Sequence, residues 1–204
     1  LEDARRNAPL GVLTLGRVVA LRDYENFARG FAAIAKARAD WTFDGYARPI
    51  LVTVAGQEGV LLSETGDDME NLRAALRQAG EADVAVEVRN YRPIGFGVSA
   101  RLFTNPAHMP DAVEEAARTA LLAAFSFAAR DLGEGVSRAQ VIAVLQAVPG
   151  VDGVVLDALY TGQTPELRPH ITAARSRPDL SGRQLLPAEL LTLDPARLLL
   201  EVVQ

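Results

Sequence analysis

Few residue types in this sequence could carry covalent or metal chemistry. The 204 residues include no Cys and only two His, and Lys36 is the only lysine. The absence of cysteine excludes disulfides, iron–sulfur clusters, thiolate zinc sites and cysteine nucleophiles. His108 and His170 are isolated from each other, and no serine lies in a Gly-x-Ser-x-Gly nucleophile elbow. We therefore expect no catalytic residue, no bound metal and no cofactor.

Acidic residues cluster twice, over residues 67–70 and 111–115. Each cluster stands at the start of a helical pattern, where carboxylates stabilise the positive end of the helix dipole. Three acids within one helical turn also point in different directions, which is a poor arrangement for holding one metal ion. We interpret both clusters as helix starts.

The segment Gly95–Ala100 has the glycine content of a dinucleotide-binding loop. That loop must follow a strand and open a helix, so that the helix N-terminus meets the pyrophosphate. Here the glycines alternate within a strand pattern, and Lys36 lies outside any phosphate-binding motif. The glycines instead predict a close-packed neighbour or a bend.

Four arginines lie in the long irregular segment from Thr161 to Leu186. They are Arg168, Arg175, Arg177 and Arg183. With Glu166 and Asp179 as its only acids, the segment is net positive on a chain of net charge −5. It lacks the interleaved aromatic residues that stack on bases, so we expect no nucleic acid. We expect these arginines to contact acidic groups or carbonyls of a protein partner; the alternative is a solvated surface loop.

Hydrophobic spacing predicts the elements that would position these residues. Helices are expected over residues 21–41, 67–79 and 110–132, with a short one from Ser137 to about Val148. Capping boxes are expected at Asp67 with Glu70 and at Ser137 with Gln140. Strands are expected at residues 48–55, 84–89, 94–102, 151–160 and 197–203.

This order predicts an α+β fold of two small α/β modules with mixed or antiparallel sheets and a long C-terminal arm. Residues 1–11 are expected to be an N-terminal arm or linker. Residues 12–92 form a helix plus βαβ middle module, and residues 93–204 a C-terminal βααβ-arm-β module. The alternative is one ferredoxin-like domain, which would suit an α/β enzyme or a small-ligand-binding protein. It requires strands 84–89 and 94–102 to be neighbours in one sheet.

The longest run of apolar and small residues, 120–129, is about half the roughly 20 residues that a membrane-spanning helix needs. We therefore expect no direct membrane insertion.

Five stretches, in the expected order, resemble the baseplate J-like family of contractile phage tails and contractile injection systems. They are residues 21–37, 52–56, 86–94, 130–160 and 185–191. The similarity extends over about residues 12–204. One departure is Ala20, where the family would have a capping Ser or Thr before the first helix. Family members are usually longer, so the chain resembles their middle and C-terminal modules.

The resemblance implies a structural baseplate wedge component without catalytic activity. Such proteins pair within each wedge, and the wedges close into a ring around the hub. The implied partners are further copies of the chain and other baseplate, hub and sheath-adaptor proteins. The implied location is a phage tail or tail-like injection particle assembled in the cytoplasm.

Overall fold

The computed structural model describes residues 18–43, 45–179 and 184–203. The chain divides into two compact units, Leu1–Arg92 with Ala174–Ala188 and Pro93–Ala173 with Glu189–Gln204. The predicted modules also divide between residues 92 and 93, but residues 174–188 were predicted to lie in the C-terminal module.

The first unit is built on a three-stranded mixed sheet. In chain order it contains α1 (Leu21–Arg29), β1 (Ile34–Trp41), β2 (Ile50–Gly56), α2 (Asp67–Ala79) and β3 (Val86–Asn90). The sheet order is β1-β2-β3, with β1 antiparallel and β3 parallel to β2. Both helices contribute to a core in which Tyr24, Met69 and Leu72 pack with the β2 residues Val52 and Val54.

The second unit is built on another three-stranded sheet, formed by residues 92–104, 151–161 and 189–203, with residues 92–104 in the centre. Its elements are β4 (Arg92–Thr104), α3 (Pro110–Ala124), β5 (Val136–Ser137), α4 (Arg138–Gln146), β6 (Val151–Thr161), β7 (His170–Ile171) and, after the last return of the chain, β10 (Glu189–Val203). β6 runs antiparallel to β4, and β5 pairs with β7. The core contains Phe96 and Leu102 of β4, Leu121 of α3 and Leu145 of α4.

The segment predicted to be an arm contains short paired strands. Besides β7, it has β8 (Arg177–Pro178) and β9 (Leu185–Leu186), which pair with each other in the first unit. Thr53 of β2 links to this segment through Ser176, with 3.1 Å between the hydroxyl oxygens, and accepts a 3.0 Å hydrogen bond from the Ala188 N–H. These contacts lie on the face of β2 opposite Val52 and Val54, and they explain why β2 is buried along its whole length. A strand buried on both faces is a near-continuous apolar run.

These observations confirm the α+β class with small mixed and antiparallel sheets. The ferredoxin-like alternative is wrong, because β3 and β4 belong to different sheets.

The predicted helix over residues 21–41 is wrong beyond Arg29. Gly30 ends the helix, and residues 34–41 form β1. A central strand needs backbone partners along both edges, and β1 supplies them to one edge of β2. This requirement outweighs the helix propensity of the alanine-rich segment.

The predicted helix over residues 110–132 also ends early, at Ala124. The buried Phe125 ring packs edge-on against Phe96 at 5.4 Å between ring centroids. The Phe125 carbonyl accepts a 3.1 Å hydrogen bond from the Leu193 N–H of β10 instead of continuing the helix. The final strand is correspondingly longer than expected, starting at Glu189 rather than Arg197.

The two predicted capping boxes have different outcomes. Ser137 and Gln140 form theirs, with hydrogen bonds of 3.2 and 2.8 Å in the two directions. The box at Asp67 and Glu70 is wrong, because Gly66 is the N-cap and Asp67 is already helical. At Ala20, the Asp23 carboxylate accepts the N–H at 2.9 Å, which supplies half of a capping box.

The close-packed neighbour expected beside the β4 glycines is confirmed. A Cβ added at Gly97 would lie 2.5 Å from the Tyr160 ring, and one at Gly95 would lie 2.9 Å from the Arg197 guanidinium. The same guanidinium donates to the carbonyls of Gly95 and Gly162 at 2.5 and 2.6 Å. The Arg197 side chain therefore lies across β4 at glycine positions, which have no side chain to exclude it.

Candidate protein-interaction site

The arginines predicted to meet a partner are divided between the two units. Arg168 belongs to the second unit, and Arg175 and Arg177 belong to the first. All three are exposed. Arg183 lies outside the described residues.

Arg168 is held within its own unit. Its guanidinium forms an ion pair with the Glu166 carboxylate. Its backbone N–H donates to the Leu159 carbonyl at 3.1 Å, and the Leu159 N–H donates to the Glu166 carbonyl at 2.9 Å. Arg168 is therefore fixed beside β6, and its charge is already shared with an acid.

Arg175 and Arg177 present their charges differently. Neither forms an ion pair or a side-chain hydrogen bond with another residue in the described part of the chain. Ser176, which lies between them, is anchored through Thr53 and through a 3.3 Å hydrogen bond from its N–H to the Asp40 carboxylate. Because the backbone between these two exposed arginines is already anchored, less conformational entropy is lost when their guanidinium groups contact a partner.

A second cationic surface was not anticipated from the sequence. Arg73 and Arg77 of α2 and Arg89 of β3 line a shallow depression of about 250 Å³ together with Val86, Glu87 and Val88. The i, i+4 spacing of Arg73 and Arg77 places them on one helix face, and this was the available sequence signal. Only the tertiary structure places that face beside the outer edge of β3.

A third surface is the connection between β1 and β2. Trp41, Phe43 and Tyr46 are exposed there, and Tyr46 is 99% exposed. Trp41 and Arg48 line a depression of about 270 Å³. Exposed aromatic residues beside an arginine are the residue types enriched at the centres of protein interfaces.

Both histidines pack against glycine backbone. A Cβ added at Gly150 would meet the His108 ring at 2.7 Å, and one at Gly135 would meet the His170 ring at 2.5 Å. Both imidazoles are nevertheless exposed. Among the residues that the structure describes, no three His, Asp or Glu side chains are grouped as a metal site would need. The two depressions are smaller than the roughly 300–1,000 Å³ of typical small-molecule sites.

A bidentate surface ion pair joins neighbouring strands of the second unit. Arg101 of β4 donates to both Asp157 oxygens of β6, with distances of 2.8 and 3.0 Å. These hydrogen bonds lower the pKa of Asp157 and raise that of Arg101. The pair is exposed and joins the strands without forming a site.

Comparison with known protein families finds a similarity, which lies in the first unit. Residues 16–89 match the Baseplate J-like central domain. The match contains α1, β1, β2, α2 and β3 up to residue 89. This part of the chain is similar to the baseplate J-like central domain.

The whole chain has a structural relative in a solved baseplate. A structure described as the cryo-EM structure of the anti-feeding prophage (AFP) baseplate, 6-fold symmetrised, matches with a TM-score of 0.64 and 17% sequence identity. The match covers 95% of this chain and 42% of that chain, so this chain spans less than half of its relative's length. At this identity the similarity establishes the fold. The comparison with curated proteins gave no match.

The candidate surfaces can be assigned with respect to this domain. The exposed aromatic connection and the cationic β3 edge lie within the residues that match the baseplate J-like central domain. Arg168, Arg175 and Arg177 lie outside the matched residues. No helix in the described ranges is long and apolar enough to span a bilayer.

Proposed function

We propose that the chain is a structural, non-catalytic component of the baseplate of a contractile tail or tail-like injection particle. The observation that carries the proposal is the match of residues 16–89 to the baseplate J-like central domain. The fold similarity to a chain of the AFP baseplate over 95% of the sequence supports it independently.

The finer proposal is a wedge component. Copies of the chain pair within a wedge, and the wedges form a ring that joins the hub and sheath-adaptor proteins in a particle assembled in the cytoplasm. This proposal is supported by the resemblance over residues 12–204 and by surfaces suited to protein contact. Those surfaces are the anchored arginines at 175 and 177 and the aromatic residues at 41, 43 and 46.

The test is deletion of the gene in the cells that produce the particle, followed by electron microscopy of the purified particles. We expect sheath and tube assembly on complete baseplates to be lost and to return when the tagged full-length gene is supplied. The tagged protein should co-sediment with the particles. Normal particles from the deletion strain, with the tagged protein only in the low-mass fraction, would contradict the proposal.

The aromatic connection provides a sharper test of the wedge proposal. Replacing Trp41, Phe43 and Tyr46 together by Ser removes exposed apolar area and leaves the described core intact. We expect the isolated variant to keep its thermal stability, while its recovery in particles falls. Unchanged recovery would remove this surface from the set of wedge contacts.

A further inference from the structure

The outer edge of β3 carries unused backbone hydrogen-bonding groups. In the parallel pairing with β2, the Ile50 N–H donates to Ala85 at 2.9 Å and the Tyr91 N–H donates to Val54 at 2.8 Å. Residues 85, 87, 89 and 91 therefore direct their backbone groups toward β2. Because the direction alternates along a strand, Val86, Val88 and Asn90 direct theirs to the outer edge.

Part of this edge is occupied by the domain itself. The Arg73 guanidinium donates to the Val88 carbonyl at 3.1 Å, and the Asn90 N–H donates to the Glu64 carboxylate at 3.4 Å. The N–H and C=O of Val86 and the N–H of Val88 have no partner among the described residues. An edge with free groups is a template for another strand.

The same edge carries more positive than negative side chains. Arg73, Arg77 and Arg89 line the depression together with Glu87, and Glu64 contacts the edge from outside the lining. Arg73 pairs with Glu64 at 2.6 Å, and Arg89 pairs with Glu87 at 3.3 Å across a half-exposed contact. Arg77 is exposed and has no ion pair with another described residue. Arg77 therefore supplies an uncompensated positive charge at this edge, on a chain of net charge −5.

We propose that the β3 edge binds an extended acidic segment of another protein. The backbone of that segment would pair with Val86 and the Val88 N–H as a short fourth strand, and its carboxylates would bind Arg77 and Arg89. Strand addition obtains affinity from main-chain hydrogen bonds and specificity from the flanking side chains. The partner is expected to be another baseplate protein, and this expectation rests on the proposed function. The binding chemistry itself belongs to the isolated chain.

The experiment uses the full chain and a seven-residue peptide that alternates Glu and Thr, with blocked ends. The matched probe replaces every Glu by Lys. We expect the Glu peptide to bind in a titration and to slow amide hydrogen exchange at Val86 and Val88, while the Lys peptide does neither. Equal binding of the two peptides, or binding without protection of these amides, would overturn the proposal. Binding of neither peptide would overturn it as well.

Two variants separate charge from backbone pairing. Arg77→Glu with Arg89→Glu should weaken binding of the Glu peptide by about tenfold or more, whereas Arg138→Glu, an exposed arginine of the second unit, should leave it unchanged. Val86→Pro removes an N–H that points away from β2, so the β2–β3 ladder keeps its hydrogen bonds. Loss of binding by this variant is expected, and retained binding would contradict strand addition.

A modified peptide tests backbone pairing without any substitution in the protein, so this test does not depend on the folding of Val86→Pro. A Glu peptide N-methylated at alternate residues keeps its charges but cannot pair along that edge. We expect it to bind at least about tenfold more weakly than the unmodified peptide, and equal affinity would overturn strand addition.

A second copy of the chain is the competing occupant. If sedimentation shows a dimer that Val86→Pro dissociates, the edge pairs with itself and the proposal of another protein is overturned. Peptide binding by a chain that is absent from particles would instead reject the proposed function and leave the binding chemistry standing.

Discussion

At the residue scale, two glycines of β4 determine which side chains pack across one face of the sheet in the second unit. Gly95 and Gly97 leave room for the Arg197 guanidinium and the Tyr160 ring. The guanidinium lies 5.8 Å from the Tyr160 ring centroid and also pairs with Asp194 at 2.9 Å. The charge of Arg197 is therefore shared by two carbonyls, a carboxylate and an aromatic ring.

This arrangement predicts that Gly97→Ala is destabilising. The added Cβ would lie 2.5 Å from the Tyr160 ring, and such overpacking typically costs about 1–3 kcal/mol of unfolding free energy. Gly153→Ala is the matched control, because its Cβ would have an ordinary contact of 3.6 Å with Phe103. Urea denaturation of both variants measures the difference. Equal stability of the two variants would show that the Tyr160 ring moves aside freely.

The Arg101–Asp157 pair predicts a specific dependence of stability on pH. Hydrogen bonds from Arg101 hold the pKa of Asp157 below its unfolded value of about 3.9. The folded state therefore binds this proton less readily than the unfolded state. The ion pair contributes to the free energy of unfolding above about pH 4, and this contribution is lost as pH falls through the lower pKa of the folded state. Asp157→Asn should remove that part of the acid dependence in urea titrations between neutral and acidic pH. Asp152→Asn on the same strand should retain it, and identical pH profiles for wild type and Asp157→Asn would refute the assignment.

At the element scale, helix boundaries are set by both local capping and tertiary contacts. α4 begins at a complete capping box, with Ser137 and Gln140 satisfying each other's N–H groups. α2 begins at Gly66 without a side-chain cap. α3 ends where Phe125 enters the core and its carbonyl bonds to β10. The start of α4 is thus the boundary most dependent on a single side chain.

Ser137→Ala should therefore destabilise the second unit by about 1 kcal/mol, since the Gln140 N–H loses its acceptor. Thr119→Ala is the control, because Thr119 is exposed within α3 and alanine is the better helix former. Thermal denaturation followed by circular dichroism compares the two variants. A Ser137→Ala protein as stable as the control would mean that water replaces the cap without cost.

At the scale of the whole molecule, the chain presents several surfaces for protein contact on a fold shared with a baseplate chain. The arginines at 175 and 177 extend from a backbone anchored to the first sheet, while Arg168 is paired with Glu166. An anchored, unpaired cation contributes to association mainly through electrostatic attraction, which salt screens.

Replacing Arg168, Arg175, Arg177 and Arg183 by Glu should therefore reduce assembly into particles and change its salt sensitivity. The double variant Arg175→Glu with Arg177→Glu should account for most of the loss, because the Arg168 charge is already shared. Arg22→Glu with Arg138→Glu makes the same charge change at exposed arginines elsewhere. Sedimentation of particles at two salt concentrations measures the effect. Normal assembly with unchanged salt sensitivity would exclude a charged contact at this segment.

Much of the fold was predictable from the sequence where short-range rules apply. The spacing of Leu72, Leu76 and their neighbours predicted α2, and the predicted bounds are the observed ones, Asp67–Ala79, although the capping box expected at Asp67 does not form. The Ser137 capping box and the crowding beside Gly95 and Gly97 were also predicted correctly. For the candidate site, the sequence indicated the arginine segment but not the cationic β3 edge, because Arg73, Arg77 and Arg89 are brought together only by the packing of α2 on the sheet.

By itself, the sequence determined the α+β class, the helix starts and most strands, because periodicity, capping and glycine placement act over a few residues. The tertiary structure alone decided that residues 34–41 are a strand, that α3 stops at Phe125 and that residues 174–188 belong to the first unit. In all three cases a buried strand or ring needs partners that are distant in the chain. For residues 34–41 and for the end of α3, the free energy of supplying those partners exceeds local helix propensity, which is about 0–0.7 kcal/mol per residue.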